Sequence, residues 1–173
     1  YEYNPEMARQ LLAEAGYPDG FETTLEYRDV VRGYLPEPGR VAEDIQAQLA
    51  EIGVTVTINV IESGAFIDAA DGGELEGLHL LGWGADYPDP QNFLDYHFGA
   101  GASAQFGEKF PDLVEALQQG ASQATDEERA PFYEEANNLL RQYVPMVPIA
   151  HGGSGVVYKA DVENAHVSPL GNE

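Results

Sequence analysis

The sequence predicts an α/β fold, a mainly parallel sheet with helices on both faces, and three observations carry that prediction. Apolar stripes at helical spacing alternate along the chain with β-branched runs at period two, an order that the crossover rule turns into parallel strands. One strand candidate, Leu78 to Leu81 with only His79 polar, reads as buried on both faces. That run then meets Gly82-Trp83-Gly84-Ala85-Asp86-Tyr87-Pro88-Asp89-Pro90, whose glycines and prolines force the backbone to turn just beyond a strand's carboxyl end. In open α/β sheets ligands settle there; the competing reading is a proline-rich turn with solvated acids and a tryptophan tucked into the core.

The elements follow in order. Asn4-Pro5 starts a helix, because the Asn side chain can accept from exposed N–H groups while Pro occupies the first helical position. Met7, Ala8, Leu11, Leu12 and Ala15 share one face of it, and Gly16 with Pro18 supplies the stop. Phe21 to Tyr27 alternates as a half-buried strand does. Residues 28–39 read as a loop, since prolines and glycines interrupt any period, and Arg32 sits within it. From Arg40 a stripe of Val41, Ile45, Leu49 and Ile52 marks a helix ended by Gly53. Val54 to Ile61 alternates again, and a short helix over Ser63 to Ala70 leads through Gly72-Gly73 to the strand at Leu78. Beyond the turn a helix is predicted over Gln91 to Phe98 and another from Pro111, with Leu113, Val114, Leu117 and Ala121 inward. Thr125-Asp126-Glu127-Glu128 is a capping box that opens a helix with Phe132, Ala136, Leu139, Leu140 and Tyr143 on one face. Val144 to Ala150 and Val156 to Tyr158 are the last strand candidates.

The 173 residues, 43% of them hydrophobic, suit one α/β domain with a core of its own. A formal net charge of −22 argues against nucleic acid or an anionic membrane surface as partner, whereas a cationic or amine-bearing ligand would be tolerated. Without cysteine there is no disulfide, thiolate metal site or thiol nucleophile. No G-x-S-x-G elbow surrounds Ser154, so His151-Gly152-Gly153 is not the oxyanion loop of a nucleophilic hydrolase. His79, His97, His151 and His166 lack metal-ligand spacing, and neither a metal nor a cofactor is expected. Asp86 and Asp89 remain an enzyme candidate, as the acid and base or the cation ligands of a hydrolase. Asp89, between two prolines, reads equally as a cap for the helix that follows.

Tyr3-Asn4-Pro5-Glu6, Leu11 through Phe21, Ala42-Glu43 with Ile45 to Leu49, Ile52-Gly53, and Gly82-Trp83 with Ala85 to Pro90 and Asn92-Phe93 stand in this order along the chain. Together these stretches resemble the family 5 extracellular solute-binding proteins, the peptide, dipeptide and nickel receptors of ABC importers. The resemblance runs over nearly the whole chain and implies a periplasmic-binding-protein-like (type II) lobe, the second of two that close on a ligand. It implies no catalytic residues. Its expected partners are a short peptide, di- or oligopeptide, the N-terminal lobe of the same protein and the ABC transporter permease subunits. The expected location is extracellular or periplasmic, with a lipoprotein anchor in the full-length protein. Pro169-Leu170-Gly171 is similar to the segment that returns toward the first lobe.

Carried over residue by residue, the resemblance assigns Asp86 of the W-x-x-D loop to the ligand's α-ammonium, and Arg32, ahead of the Ala-Glu helix, to its carboxylate. Trp83, Gly84, Ala85 and Tyr87 complete the expected ligand-binding set. A planar guanidinium grips a carboxylate bidentately and an aspartate accepts from an ammonium, so the two would measure ligand length. Leu80-Leu81 offers no cationic side chain of the kind some oligopeptide binders carry there, which favours short peptides, and nickel lacks a suitably placed histidine.

Overall fold

The structure, a computed structural model, describes residues 1–153, 155–164 and 166. They form two compact units, Tyr1–Ala69 with Glu74–Gly82, and Ala70–Gly73 with the described residues from Trp83 onward. Pro169-Leu170-Gly171 lies outside the described residues.

The first unit contains helix α1 (Pro5–Glu14), strand β1 (Glu22–Arg28), helix α2 (Pro38–Glu51), strand β2 (Thr55–Ile61), most of helix α3 (Ser63–Gly72) and strand β3 (Leu78–His79). The sheet is parallel throughout, in the order β2-β1-β3, with Glu22 opposite Thr55 and Leu25 opposite Leu78. Leu25 and Tyr27 of β1, Val54 and Val56 beside them, Leu80 and Ala42 of α2 form a buried apolar cluster, with Val41, Ile45 and Leu49 packed against it. The opposite face of the sheet carries Glu26, Arg28 and His79; Phe66 of α3 is fully buried there, edge-on to the His79 ring. Helices thus cover both faces, as the alternation required. Asn4 caps α1 through a 2.9 Å hydrogen bond from Met7 N–H, and the helix stops where Gly16 takes φ +94°.

One expectation is corrected. The strand at Leu78 is an edge strand two residues long, not a strand buried on both faces: among the described residues only β1 pairs with it, and Leu78 stays 43% exposed. An apolar run shows hydrophobicity but not position in a sheet, and here the ladder stops as the glycines begin.

The second unit holds a 3-10 turn at Pro90–Asn92, helix α4 (Leu94–Phe98), helix α5 (Pro111–Ala121) and helix α6 (Asp126–Tyr143). Its core is Phe98, Leu113, Ala116, Leu117, Tyr133, Ala136 and Leu139, with Phe110 stacked on Tyr143 at 4.0 Å. The capping box forms in both directions: Thr125 Oγ1 accepts from Glu128 N–H and Glu128 Oε2 from Thr125 N–H, each at 3.3 Å.

The last strand candidates are also corrected. After Val144, which ends α6 in the left-handed region at φ 50°, no strand forms among the described residues of 144–158. Val147 is 71% and Ile149 62% exposed. β-branched residues favour a pleated surface only where a neighbouring strand supplies the ladder, and none is present for this segment among the described residues.

Candidate functional site

The backbone reaches the site through Gly82. A Cβ on it would lie 2.1 Å from the ring of Tyr34, so only glycine lets the chain pass beneath that ring after the sheet ends. The loop that follows is then organised by Asn92, a buried polar residue only 4% exposed. Its Oδ1 accepts from the Trp83 indole N–H at 3.0 Å and from the Asp86 backbone N–H at 2.8 Å, while its Nδ2 donates to Asp86 Oδ2 at 3.2 Å. A short polar side chain thereby closes residues 83–92 into a fixed turn, as an amide can because it accepts and donates at once. Trp83, half-buried, stacks on Tyr96 at 4.3 Å and meets His97 edge-on at 5.0 Å. Burial holds the His97 imidazole below the usual histidine range.

The six expected ligand-binding residues divide between the units. Asp86 is exposed, and among the described residues its carboxylate has no hydrogen-bond partner except Asn92. Gly84 is exposed with open space where a side chain would stand, Ala85 is half-buried and Tyr87 is exposed. Arg32 lies in the first unit, in a tight turn where its N–H and C=O pair with Leu35; its guanidinium donates to the Val31 carbonyl at 3.0 Å and is otherwise exposed.

Asp89 has a different fate. Its Oδ1 accepts from Gln91 N–H at 2.9 Å, capping the 3-10 turn, and both its oxygens receive Arg129 in a bidentate pair at 2.7 and 2.8 Å. The hydrogen bonds from Arg129 hold its carboxyl below the usual carboxylate range, and the pairing raises the guanidinium above its own. Arg129 also donates to the Tyr133 hydroxyl at 3.3 Å, and that hydroxyl donates to Asp95 at 3.3 Å. Asp89 is therefore locked in the loop's foundation, and the hydrolase built on Asp86 and Asp89 loses one of its two groups. Among the described residues no cluster of three or more His, Asp or Glu is placed to hold a metal ion.

Sequence reasoning missed three contributors. Asn92 left a faint signal, an amide two residues after a Pro in a turn already rich in acids. Arg129 left none, since its partner is forty residues away. Arg28, half-buried at the carboxyl end of β1, donates to Ser63 Oγ at 3.1 Å and to the Tyr34 hydroxyl at 3.5 Å, two neutral groups.

Comparison with known proteins places the chain among solute-binding proteins. The chain is 36% identical to heme-binding protein A of Haemophilus influenzae over 99% of its own length and 32% of that protein's. It is 35% identical to di/tripeptide-binding protein 1 of Pseudomonas aeruginosa, covering 98% of the chain and 32% of the relative. The crystal structure of a dipeptide-binding protein from Pseudoalteromonas sp. SM9913 in complex with Met-Leu superposes with a TM-score of 0.81 at 31% identity, over 87% of this chain and 30% of that one. The model of the bacterial extracellular solute-binding proteins, family 5 middle segment, matches residues 1–105, and the chain belongs to that family. It spans about a third of the length of these relatives.

Proposed function

We propose that the chain is the second lobe of a two-lobed substrate-binding protein of an ABC importer, that it receives short peptides, and that it has no catalytic activity. The full protein works outside the cytoplasm, anchored to the membrane, and delivers its ligand to the permease subunits. Relatives named for di- and tripeptides, and a relative solved with Met-Leu, support the ligand class. One observation carries the reading: Asn92 holds both the backbone and the carboxylate of Asp86, so that the loop after Gly82 presents an exposed, pre-oriented anion. Such an anion receives an α-ammonium without reorganising. Trp83, pinned by Asn92 and Tyr96, keeps the loop from collapsing. Gly84 leaves open space at its own position for a peptide backbone to approach, Ala85 adds no bulk, and Tyr87 flanks the ligand. Arg32, with no carboxylate partner among the described residues, takes the ligand's carboxylate.

Calorimetry on the full-length receptor tests both ends. Asp86→Asn should weaken peptides with a free amino terminus by roughly 2–3 kcal/mol and leave N-acetylated peptides nearly unchanged. Arg32→Ala should cost peptides with a free carboxylate about 2–4 kcal/mol and spare C-amidated ones. Equal losses for blocked and unblocked peptides would make both residues structural and end the assignment.

A further inference from the structure

Arg129 gives both terminal nitrogens to Asp89, and among the described residues the side chain of Asp95, the next acid along, is hydrogen-bonded only by the neutral phenol of Tyr133. Asp95 is half-buried, and that burial raises its carboxyl above the usual range against the opposing pull of the Tyr133 hydrogen bond and the nearby Arg129 charge. It borders an open depression of about 530 Å³ lined also by Asp71, Tyr87, Gln91, Tyr96 and Ser103. That volume lies within the range of small-ligand sites. No basic residue lines it.

The walls are as specific as the charge. Tyr87 and Tyr96 are about half exposed, so the ring of Tyr87 and the part of the Tyr96 ring not stacked on Trp83 can flank an aliphatic stem and a cationic head. Both are tied to the ligand loop: Tyr87 follows Asp86 directly, and Tyr96 is the ring on which Trp83 stacks. Asp71, exposed on the rim at the end of α3, supplies a second carboxylate. A neutral side chain brings no charge to Asp95; an ammonium or guanidinium would supply the direct ion pair that Arg129, committed to Asp89, does not make.

Resting on the peptide-receptor reading, we infer that this depression is a subsite for the cationic side chain of a lysine or arginine in the ligand's first position, with Asp95 and Asp71 as its counter-charges and Tyr87 and Tyr96 as its walls.

The test is calorimetry on the full-length receptor with Lys-Ala, its uncharged counterpart norleucyl-Ala, Ala-Ala and 1,5-diaminopentane. Wild type should bind Lys-Ala about tenfold or more tighter than norleucyl-Ala, the scale of one charge-assisted contact. Asp95→Asn, which keeps an acceptor for the Tyr133 hydroxyl, should remove most of that preference and leave Ala-Ala within about twofold. Asp71→Asn, a change at an exposed position, should narrow the preference and carries the test should Asp95→Asn not fold. The inference is overturned if wild type shows no preference, or if the preference survives both substitutions, while Ala-Ala still binds. Diaminopentane binding as tightly as Lys-Ala overturns the peptide side chain as the source of the cation. Failure of wild type to bind any of the three peptides overturns the receptor reading itself, and the subsite with it.

Discussion

In the sheet unit the side chains that fix the fold are apolar. Leu25, Tyr27, Val54, Val56 and Leu80 gather around Ala42; the first four were placed by alternation and Leu80 by its apolar run. The second unit has a comparable apolar core between α5 and α6, yet its loop over 83–92 is fixed by polar groups: Asn92 across Trp83 and Asp86, Arg129 across Asp89 and Tyr133. The difference separates two jobs. Apolar burial is non-directional and sets which face of an element points inward, whereas a loop that must hold one carboxylate in one orientation needs the angular demands of hydrogen bonds. The two kinds of support also fail differently, since a truncated apolar side chain costs stability while a removed hydrogen-bond hub costs geometry.

The largest effect is expected in the sheet. Leu25 is 1% exposed at the centre of the first cluster, and Leu25→Ala should lower stability by roughly 2–5 kcal/mol through lost transfer energy and the cavity left behind. Hydrogen exchange should show protection falling in β1 and β2. An equal loss of protection in α5 and α6 would show that the two units unfold as one, and the contrast between them would then hold only for the loop.

A smaller but more local effect follows from removing the hub. Asn92→Ala leaves the Trp83 indole N–H and the Asp86 backbone N–H without an acceptor, at a cost of about 1–3 kcal/mol. Trp83 is the chain's single tryptophan, so its fluorescence reads the loop directly. The emission should shift to longer wavelength at temperatures where far-ultraviolet circular dichroism is unchanged, and peptide affinity should fall without any change to Asp86 itself. An unshifted spectrum would mean that stacking on Tyr96 alone holds the loop.

Those two experiments mark how far the sequence was legible. The helices capped by Asn4 and by Thr125 with Glu128 were readable because each cap lies within four residues of what it satisfies. The existence of β1 and β2 was readable because their side chains alternate at period two. Asp86 was reached through family resemblance and through its place after a strand, and Asp89 was left between a cap and a partner acid. The choice between those two roles depended on Arg129, which sits forty residues on and carries no local mark of its partner. The edge position of β3 and the lack of a strand among the described residues of 144–158 were hidden for a related reason: strand pairing is a property of neighbours, and a run of apolar side chains looks the same with or without one.

The smallest effect is a pH dependence whose sign distinguishes the two acids of the second unit. The Arg129 hydrogen bonds hold the Asp89 carboxyl below its ordinary range, so the folded state binds that proton more weakly than the unfolded state does. Its stabilising contribution is complete above the ordinary carboxylate value, about 3.9, and is lost as pH falls from there through the depressed value. Asp95 has the opposite sign. Burial raises its carboxyl, so its charged form weighs against the folded state above the raised value, and protonation between the raised and the ordinary value relieves the cost. Thermal unfolding from neutral pH downward should therefore show Asp89→Asn less stable than wild type by a constant margin that closes only in the acid range. Asp95→Asn should gain on wild type at neutral pH and lose that gain as wild-type Asp95 protonates. Margins of the same sign for both variants would mean that Asp95 already has its counter-charge within the protein, and the polar loop would then be balanced in the way the apolar sheet is, complete before any ligand arrives.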